Sequence, residues 1–151
     1  MGEMERIEDQ LKRSFQGKAW HGPSVLEALE KVPAEKASAR PLARAHTIGE
    51  IVQHMTVTYQ LVLSRLRGDA TPLSPDEDWA SVEDTGEKAW QSALMDLKRS
   101  HSELCQALSL AGDSQLDQPI LPGYSSRYVT LHGLVQHNLY HAGQIALLKK
   151  A

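Results

Sequence analysis

Apolar residues recur at helical spacing in four long stretches of this chain. The first stretch covers residues 3–16, with apolar side chains three or four positions apart: Met4, Ile7, Leu11 and Phe15. After the break WHGPS at residues 20–24, Ser24 is placed to cap a short helix over residues 25–32. No stretch alternates between apolar and polar residues cleanly enough to predict a strand, so we expect an all-α protein.

The second long helix follows a connector at residues 33–46, whose prolines mark helix boundaries. Thr47 and Glu50 belong to the sequence TIGE, a capping-box pattern in which side chains satisfy the open backbone donors of a helix start. We expect the helix that begins here to end near Gly68.

The third and fourth long helices occupy the second half of the chain, after another connector at residues 68–80. The third helix is predicted to begin within residues 81–84 and to end at Gly112. A connection at residues 112–129 then leads to Thr130, which is placed to cap the last helix. Loops longer than about 12–15 residues are uncommon without a role. We therefore expect this connection to cover a pocket or to let two neighbouring helices run parallel.

Four long helices with short extra turns predict a four-helix bundle, built as one domain over residues 1–151. The net charge of −3, without a dominant cluster of lysine and arginine, argues against a nucleic-acid partner. No run approaches the roughly 20 apolar residues that a membrane span needs. The charged N-terminal stretch lacks the apolar block of a signal peptide, and Cys105 is the single cysteine. We expect a protein of the reducing cytoplasm.

The last helix carries a pair of histidines, His137 and His141, one turn apart. At about 100° per residue, His141 lies about 40° from His137 around the helix. Their neighbours on this face are mostly apolar: Leu134, Ile145 and Leu148, with Gln144 beside them. Such a pair is a standard way for one helix to offer two ligands to a metal ion. The alternative is two core or surface histidines, but two unpaired polar rings in a core are costly.

The pair differs from the motif of zinc proteases, in which a glutamate follows the first histidine as the general base. Asn138 occupies that position here. Any metal chemistry must therefore find its base elsewhere.

A third ligand has to come from another helix, and His54 is the best candidate. His54 lies at the flank of the apolar stripe of the second long helix, where a boundary histidine without a ligand role is an even alternative. Glu50, four residues earlier, is placed to orient its ring as a hydrogen-bond acceptor. His101 shares an apolar face of the third helix and is expected mainly as a bonded core residue. His21 and His46 lie in connectors, where we expect them in solvent or at caps.

Two long blocks of the sequence resemble the DinB/YfiT-like superfamily: AHTIGEIVQHM at residues 45–55 and LHGLVQHNLYHAGQIALLKK at residues 131–150. WHGPSVLEAL near the start and DWA at residues 78–80 fit in the same order. The resemblance covers nearly the whole chain, and the last block is its most specific part.

The resemblance implies an up-down-down-up four-helix bundle, often a homodimer, that holds zinc or nickel with three histidines. Carried onto this chain, the metal ligands are His54, His137 and His141. Characterised relatives include thiol-dependent transferases and isomerases that use bacillithiol, mycothiol or glutathione. The implied substrate is therefore a small molecule, with a low-molecular-weight thiol as one reactant. The family name refers to induction by DNA damage, and nothing in the sequence supports DNA binding.

Three hypotheses of function remain open from the sequence. A three-histidine site leaves a position for a thiol or for water, so the protein is either a metal-dependent S-transferase or a metal-dependent hydrolase. In both, Glu50 and Gln144 are weak candidates for tuning the chemistry, and Cys105 is expected to be structural. The third hypothesis is a non-catalytic bundle with a structural metal.

A second apolar strip on the last helix lies away from the histidines: Leu131, Val135, Leu139, Ala142 and Ala146. One helix cannot bury two strips against a single neighbour. The strip therefore predicts either a dimer interface or a central position for this helix in one bundle.

Overall fold

The computed structural model describes residues 1–151, which form helices and a single isolated antiparallel bridge between Pro119 and Ser126. The first helix, α1, covers Glu3–Gln16 as predicted. The remaining α-helices are α2 (Val25–Leu29), α3 (Ala34–Ser38), α4 (Ile48–Leu66), α5 (Pro75–Asp78), α6 (Glu87–Ser109) and α7 (Arg127–Lys150). The prediction of an all-α protein is confirmed. No helix combines the length and the apolar character that crossing a membrane requires.

The start of α4 has the capping box that the sequence predicts. The Thr47 hydroxyl accepts a hydrogen bond from the Glu50 backbone N–H at 3.1 Å, and the Glu50 carboxylate accepts one from the Thr47 N–H at 2.9 Å. Two of the open donors at this helix end are thereby satisfied. The capping box fixes where α4 begins and hence the position of His54, which lies within its second turn.

The third long helix begins later than predicted, at Glu87 rather than within residues 81–84. The Asp84 carboxylate accepts a hydrogen bond from the Gly86 N–H at 2.9 Å, so this side chain stabilises a turn just before the helix. Aspartate competes with helix formation through such local bonds. The helix also ends at Ser109, three residues before Gly112.

The last helix begins earlier than predicted, because Ser126 rather than Thr130 is its cap. The Ser126 hydroxyl accepts a hydrogen bond from the Val129 N–H at 3.2 Å. The Thr130 hydroxyl instead donates to the Ser126 carbonyl at 3.0 Å, one turn back inside the helix. Short helices also occupy the two predicted connectors, α3 in the first and α5 in the second.

The four long helices pack against one another, with α4 against α6 and α7, and α1 against the same two helices. Helix α2 adds a further contact to α7. The second apolar strip of α7 is covered within the chain, since Leu131 and Ala142 are buried and the other members are half-buried. Of the two alternatives for this strip, the structure favours the central position of α7.

The connection between α6 and α7 closes the end of the molecule where α1 begins. The Asp113 carboxylate accepts hydrogen bonds from the backbone N–H groups of Glu3 and Met4, both at 2.9 Å. A side chain from a distant segment thus caps α1, whose N-cap residue is Gly2. Leu116 and Ile120 of the same connection are buried in the core.

Replacing Ser126 with alanine should lower the free energy of unfolding by about 1 kcal/mol, because the Val129 N–H loses its acceptor. Thr130→Ala is the matched control. It removes a hydroxyl that bonds only within the helix and introduces the residue with the best helix propensity, so little change is expected. Urea unfolding of both variants measures the difference. A larger loss in Thr130→Ala than in Ser126→Ala would contradict the observed helix start.

Candidate metal centre

Three histidines from two helices meet between α4 and α7. The Nε2 atom of His137 lies 2.9 Å from Nε2 of His54 and 3.1 Å from Nε2 of His141. One ligand atom from each of the three lies within 4.8 Å of the others. The structure therefore brings together the same three residues that the sequence singled out. No other side chain that could ligate a metal belongs to this cluster.

Hydrogen bonds fix the ring orientation of two of these histidines. The Nδ1 atom of His54 donates to the backbone carbonyl of Asp78 at 3.1 Å and also lies 2.8 Å from the Asp78 carboxylate, and Nδ1 of His141 lies 2.6 Å from Oε1 of Gln144. Both partners are oxygen acceptors, so each neutral ring carries its proton on Nδ1 and turns an unprotonated Nε2 toward the cluster. This arrangement is typical of histidines that bind a metal through Nε2.

His137 completes the cluster, but hydrogen bonds alone cannot pair all three of the Nε2 atoms that meet there. If its proton is on Nε2, it can donate to only one of the two neighbouring Nε2 lone pairs, and the other remains unpaired. If its proton is on Nδ1, three lone pairs face one another, and Nδ1 itself is buried without a partner. Unpaired polar atoms away from water are costly, whereas a cation would accept all three lone pairs at once. The donor set therefore fits a metal ion of the kind that imidazole prefers.

Burial keeps the rings of His137 and His141 uncharged. It lowers the pKa of His137 to about 3, and the charges that His141 and His54 would carry lower it further in the same direction. Burial also lowers the pKa of His141 to about 4, against a smaller opposing effect of the hydrogen bond to Gln144. Both rings are therefore neutral near pH 7, as ligation requires.

An indole ring covers one face of the cluster. Trp79, directly after α5, stacks on His54 at 3.9 Å between ring centroids and with 8° between ring planes. It also stacks on His46 at 3.7 Å. The segment that carries Asp78 and Trp79 thus holds His54 through a hydrogen bond and a ring contact.

Glu50 does not orient His54, and that expectation was wrong. Its carboxylate contacts Arg40 at 2.6 Å and His46 at 3.3 Å, in addition to the Thr47 backbone. Burial raises the pKa of Glu50, but the hydrogen bonds from Thr47 and Arg40 outweigh that effect and leave it below its ordinary value. Asp78, from another segment, supplies the acceptor that we had assigned to Glu50.

His101 lies outside the cluster, as a core residue. Its ring stacks on Phe15 at 3.9 Å, and its Nε2 lies 3.6 Å from the Cys105 sulfur. Burial lowers the pKa of His101 to about 4 and raises that of the Cys105 thiol to about 11. A protonated, buried thiol is a poor nucleophile, which agrees with a structural role for Cys105. His21 and His46 are exposed.

Asp78 and Trp79 are the site residues that the sequence analysis missed. They lie in a connector 24 and 25 positions from His54, so no helical spacing relates them to it. The stretch DWA contributed to the family resemblance, but it carried no residue role.

The three main cavities of the molecule do not include the clustered histidines. One of these cavities, of about 480 Å³, is lined by residues that include Glu50 and Gln53 of α4, the helix that carries His54, and Asp96 of α6.

Comparison with known proteins supports the family resemblance. The family model described as the DinB superfamily matches residues 19–145. A crystal structure of a conserved protein from Enterococcus faecalis is similar over 99% of this chain and 96% of its own, with a TM-score of 0.74 and 17% sequence identity. At that identity the likeness concerns the fold. No curated protein matches the chain significantly.

The neutral, buried ring of His101 should make the stability of the metal-free protein depend on pH. The unfolded chain takes up a proton at about pH 6.5, whereas folded His101 resists protonation until about pH 4. The free energy of unfolding should therefore fall as pH falls through this range, by up to roughly 1.4 kcal/mol per pH unit for this ring.

His101→Gln should remove that contribution, so the loss of stability between pH 7 and pH 5 should be smaller by about 2 kcal/mol than in the wild type. His21→Gln, at an exposed position, is the control. Urea unfolding in the presence of a chelator gives both values. An identical pH dependence in wild type and His101→Gln would contradict the burial of a neutral ring at this position.

Proposed function

The chain belongs to the DinB superfamily, and on this basis we propose that it is a divalent-metal-dependent enzyme whose ion is held by His54, His137 and His141. The observation that carries the proposal is the convergence of the three Nε2 atoms, two of them with their ring protons held on the opposite nitrogen. Zinc and nickel are the ions that we propose, since neutral imidazole suits both.

The number of ligands favours an enzyme over a structural metal. Structural zinc sites have four protein ligands, whereas catalytic sites have three and leave a position for a reactant. The cluster here has three members. The Asp78 carboxylate lies beside Nδ1 of His54, at 2.8 Å, rather than at the Nε2 atoms of the cluster.

A divalent ion bound here would act as a Lewis acid and lower the pKa of a thiol or of water at the remaining position. The protein's own part is orientation. Asp78 and Gln144 hold the rings of His54 and His141, and Trp79 shields one face of His54 from water. Gln144 is an amide and cannot act as a general base. The Glu50 carboxylate is bonded to Arg40 and to the Thr47 backbone. Neither candidate residue therefore supplies a general base at the cluster, which favours a nucleophile that loses its own proton to solvent.

We propose transfer of a low-molecular-weight thiol to a small electrophilic substrate as the reaction. The support for this choice is family membership, together with the half-buried position of His137. Metal-assisted hydrolysis, with water in place of the thiol, is the alternative. We also propose that the protein acts in the cytoplasm as a homodimer.

We further propose the up-down-down-up order of the long helices. Residues pair in the same order along α4 and α6, since Gln60 donates to Ser100, while Leu66 and Ala107, nearer the ends of the two helices, line one cavity. Met4 near the start of α1 and Arg127 at the start of α7 line the same cavity. Farther along α1, Phe15 stacks on His101 of α6, and Ser14 accepts a hydrogen bond from Asn138 of α7. These pairs support α4 and α6 as parallel neighbours.

Untagged wild-type protein should contain about one divalent ion per chain, and His54→Ala should lose most of it because two imidazoles from one helix remain. His46→Ala is the matched control, since His46 also stacks on Trp79 but lies outside the cluster. Elemental analysis by mass spectrometry measures all three proteins. A wild type without stoichiometric metal, or a His54→Ala variant that retains it fully, would sink the three-histidine site.

Wild-type protein loaded with zinc or nickel should join a thiol to an electrophilic substrate, while His54→Ala should be inactive. The assay combines bacillithiol or glutathione analogues with a panel of small electrophiles and follows the thioether product by mass spectrometry. Inactivity of the loaded wild type with every thiol would overturn the transferase proposal. Product formation that requires the ion but no thiol would favour the hydrolase.

A further inference from the structure

A chain of buried polar groups connects three of the long helices beside the histidine cluster. The Tyr59 hydroxyl of α4 donates to Oδ1 of Asn138 of α7 at 2.8 Å, and Nδ2 of Asn138 donates to the Ser14 hydroxyl of α1 at 2.9 Å. Ser14 in turn donates to the Leu11 carbonyl at 2.9 Å. Tyr59, Asn138 and Ser14 are at most 2% exposed.

The donors and acceptors along this chain match in direction. Burial raises the pKa of Tyr59 far above its ordinary value, so its hydroxyl remains a donor. Asn138 accepts with its oxygen and donates with its nitrogen, and the Ser14 hydroxyl accepts one bond and donates another. Loss of any member leaves a buried polar atom without its partner, which costs more than the bond itself contributes.

Asn138 also has buried apolar neighbours one turn away on α7, Leu134 and Ala142, but their packing specifies a position less sharply. Leucine and isoleucine contacts depend on buried area and tolerate small shifts of a helix along or around its axis. Hydrogen bonds weaken steeply with distance and angle, so they restrict such shifts. A single buried asparagine has this effect in coiled coils, where it sets helix register.

The polar chain acts on the same two helices that carry the histidines. Asn138 directly follows His137 and is three residues before His141 on α7. Tyr59 is five residues after His54 on α4. The contact between Tyr59 and Asn138 and the contact between His54 and His137 thus fix α7 against α4 at neighbouring points.

We propose that Asn138, held by Tyr59 and Ser14, is a positioning residue for the metal centre. It sets the rotation and height of α7 so that Nε2 of His137 and of His141 converge on Nε2 of His54. The inference rests on the proposed metal site, and it assigns a role in that site to residues that contact no ion.

Cobalt(II) binding tests this role, because its visible absorption reports both affinity and ligand geometry. Tyr59→Phe and Ser14→Ala each remove one hydroxyl and leave one side of Asn138 unpaired. Thr56→Val is the matched control, since the Thr56 hydroxyl is also buried on α4 but bonds only to the Val52 carbonyl of its own helix. Urea unfolding of the metal-free proteins records the stability that each substitution removes.

Both network variants should bind cobalt about tenfold more weakly than wild type, the loss typical of groups that orient metal ligands. Their absorption bands should shift or weaken as the geometry relaxes, whereas Thr56→Val should keep the wild-type affinity and spectrum. The use of two variants keeps the test valid if one fails to fold.

Wild-type affinity and spectrum in the folded network variants would overturn the positioning role while leaving the metal site intact. An equal loss of affinity in Thr56→Val would also overturn it, since the effect would then not depend on the polar chain through Asn138. A wild type that binds no cobalt would instead overturn the proposed function, and the positioning role with it.

Discussion

The hydrogen-bonding conflict among three clustered imidazoles is the constraint on which the site between α4 and α7 depends. His54, His137 and His141 bring three Nε2 atoms into one small space, although no hydrogen-bonding pattern satisfies all of them. Asp78 and Gln144 increase the conflict, because they hold two ring protons on the far nitrogens. A cation would accept the lone pairs of all three nitrogens, and the hydrogen bonds to Nδ1 would then orient the rings for ligation. The same geometry that would be a defect in a metal-free core is the requirement of a metal centre.

Helix α7 carries this arrangement because it is packed on several sides. It contacts α1, α2 and α4, and its histidines face α4. A helix with one apolar face could adjust its rotation toward solvent, but α7 cannot do so without uncovering Leu131 or Ala142. The buried amide of Asn138 narrows the remaining freedom. Packing and hydrogen bonding therefore hold the two imidazoles of α7 at a position that neither would fix alone.

Local patterns predicted the helices well but their ends less well. Helix α1 follows directly from four apolar positions, and the capping box at Thr47 is present as predicted. The starts of α6 and α7 were misplaced because several polar residues near each could serve as a cap. At α7, Ser126 and Thr130 are chemically similar candidates, and the structure uses Ser126, where the connection from α6 forms its bridge to Pro119.

The sequence by itself determined that His137 and His141 share one side of a helix, since residues four apart are adjacent on any α-helix. It also pointed to His54, although there the family resemblance contributed more than spacing did. Only the tertiary structure decided that Asp78, rather than Glu50, orients His54, and that Trp79 covers its ring. The physical reason is the separation along the chain over which each kind of relation holds. Helical geometry relates neighbours along the chain, whereas contacts between segments depend on how whole helices pack, and that packing is a property of the entire core.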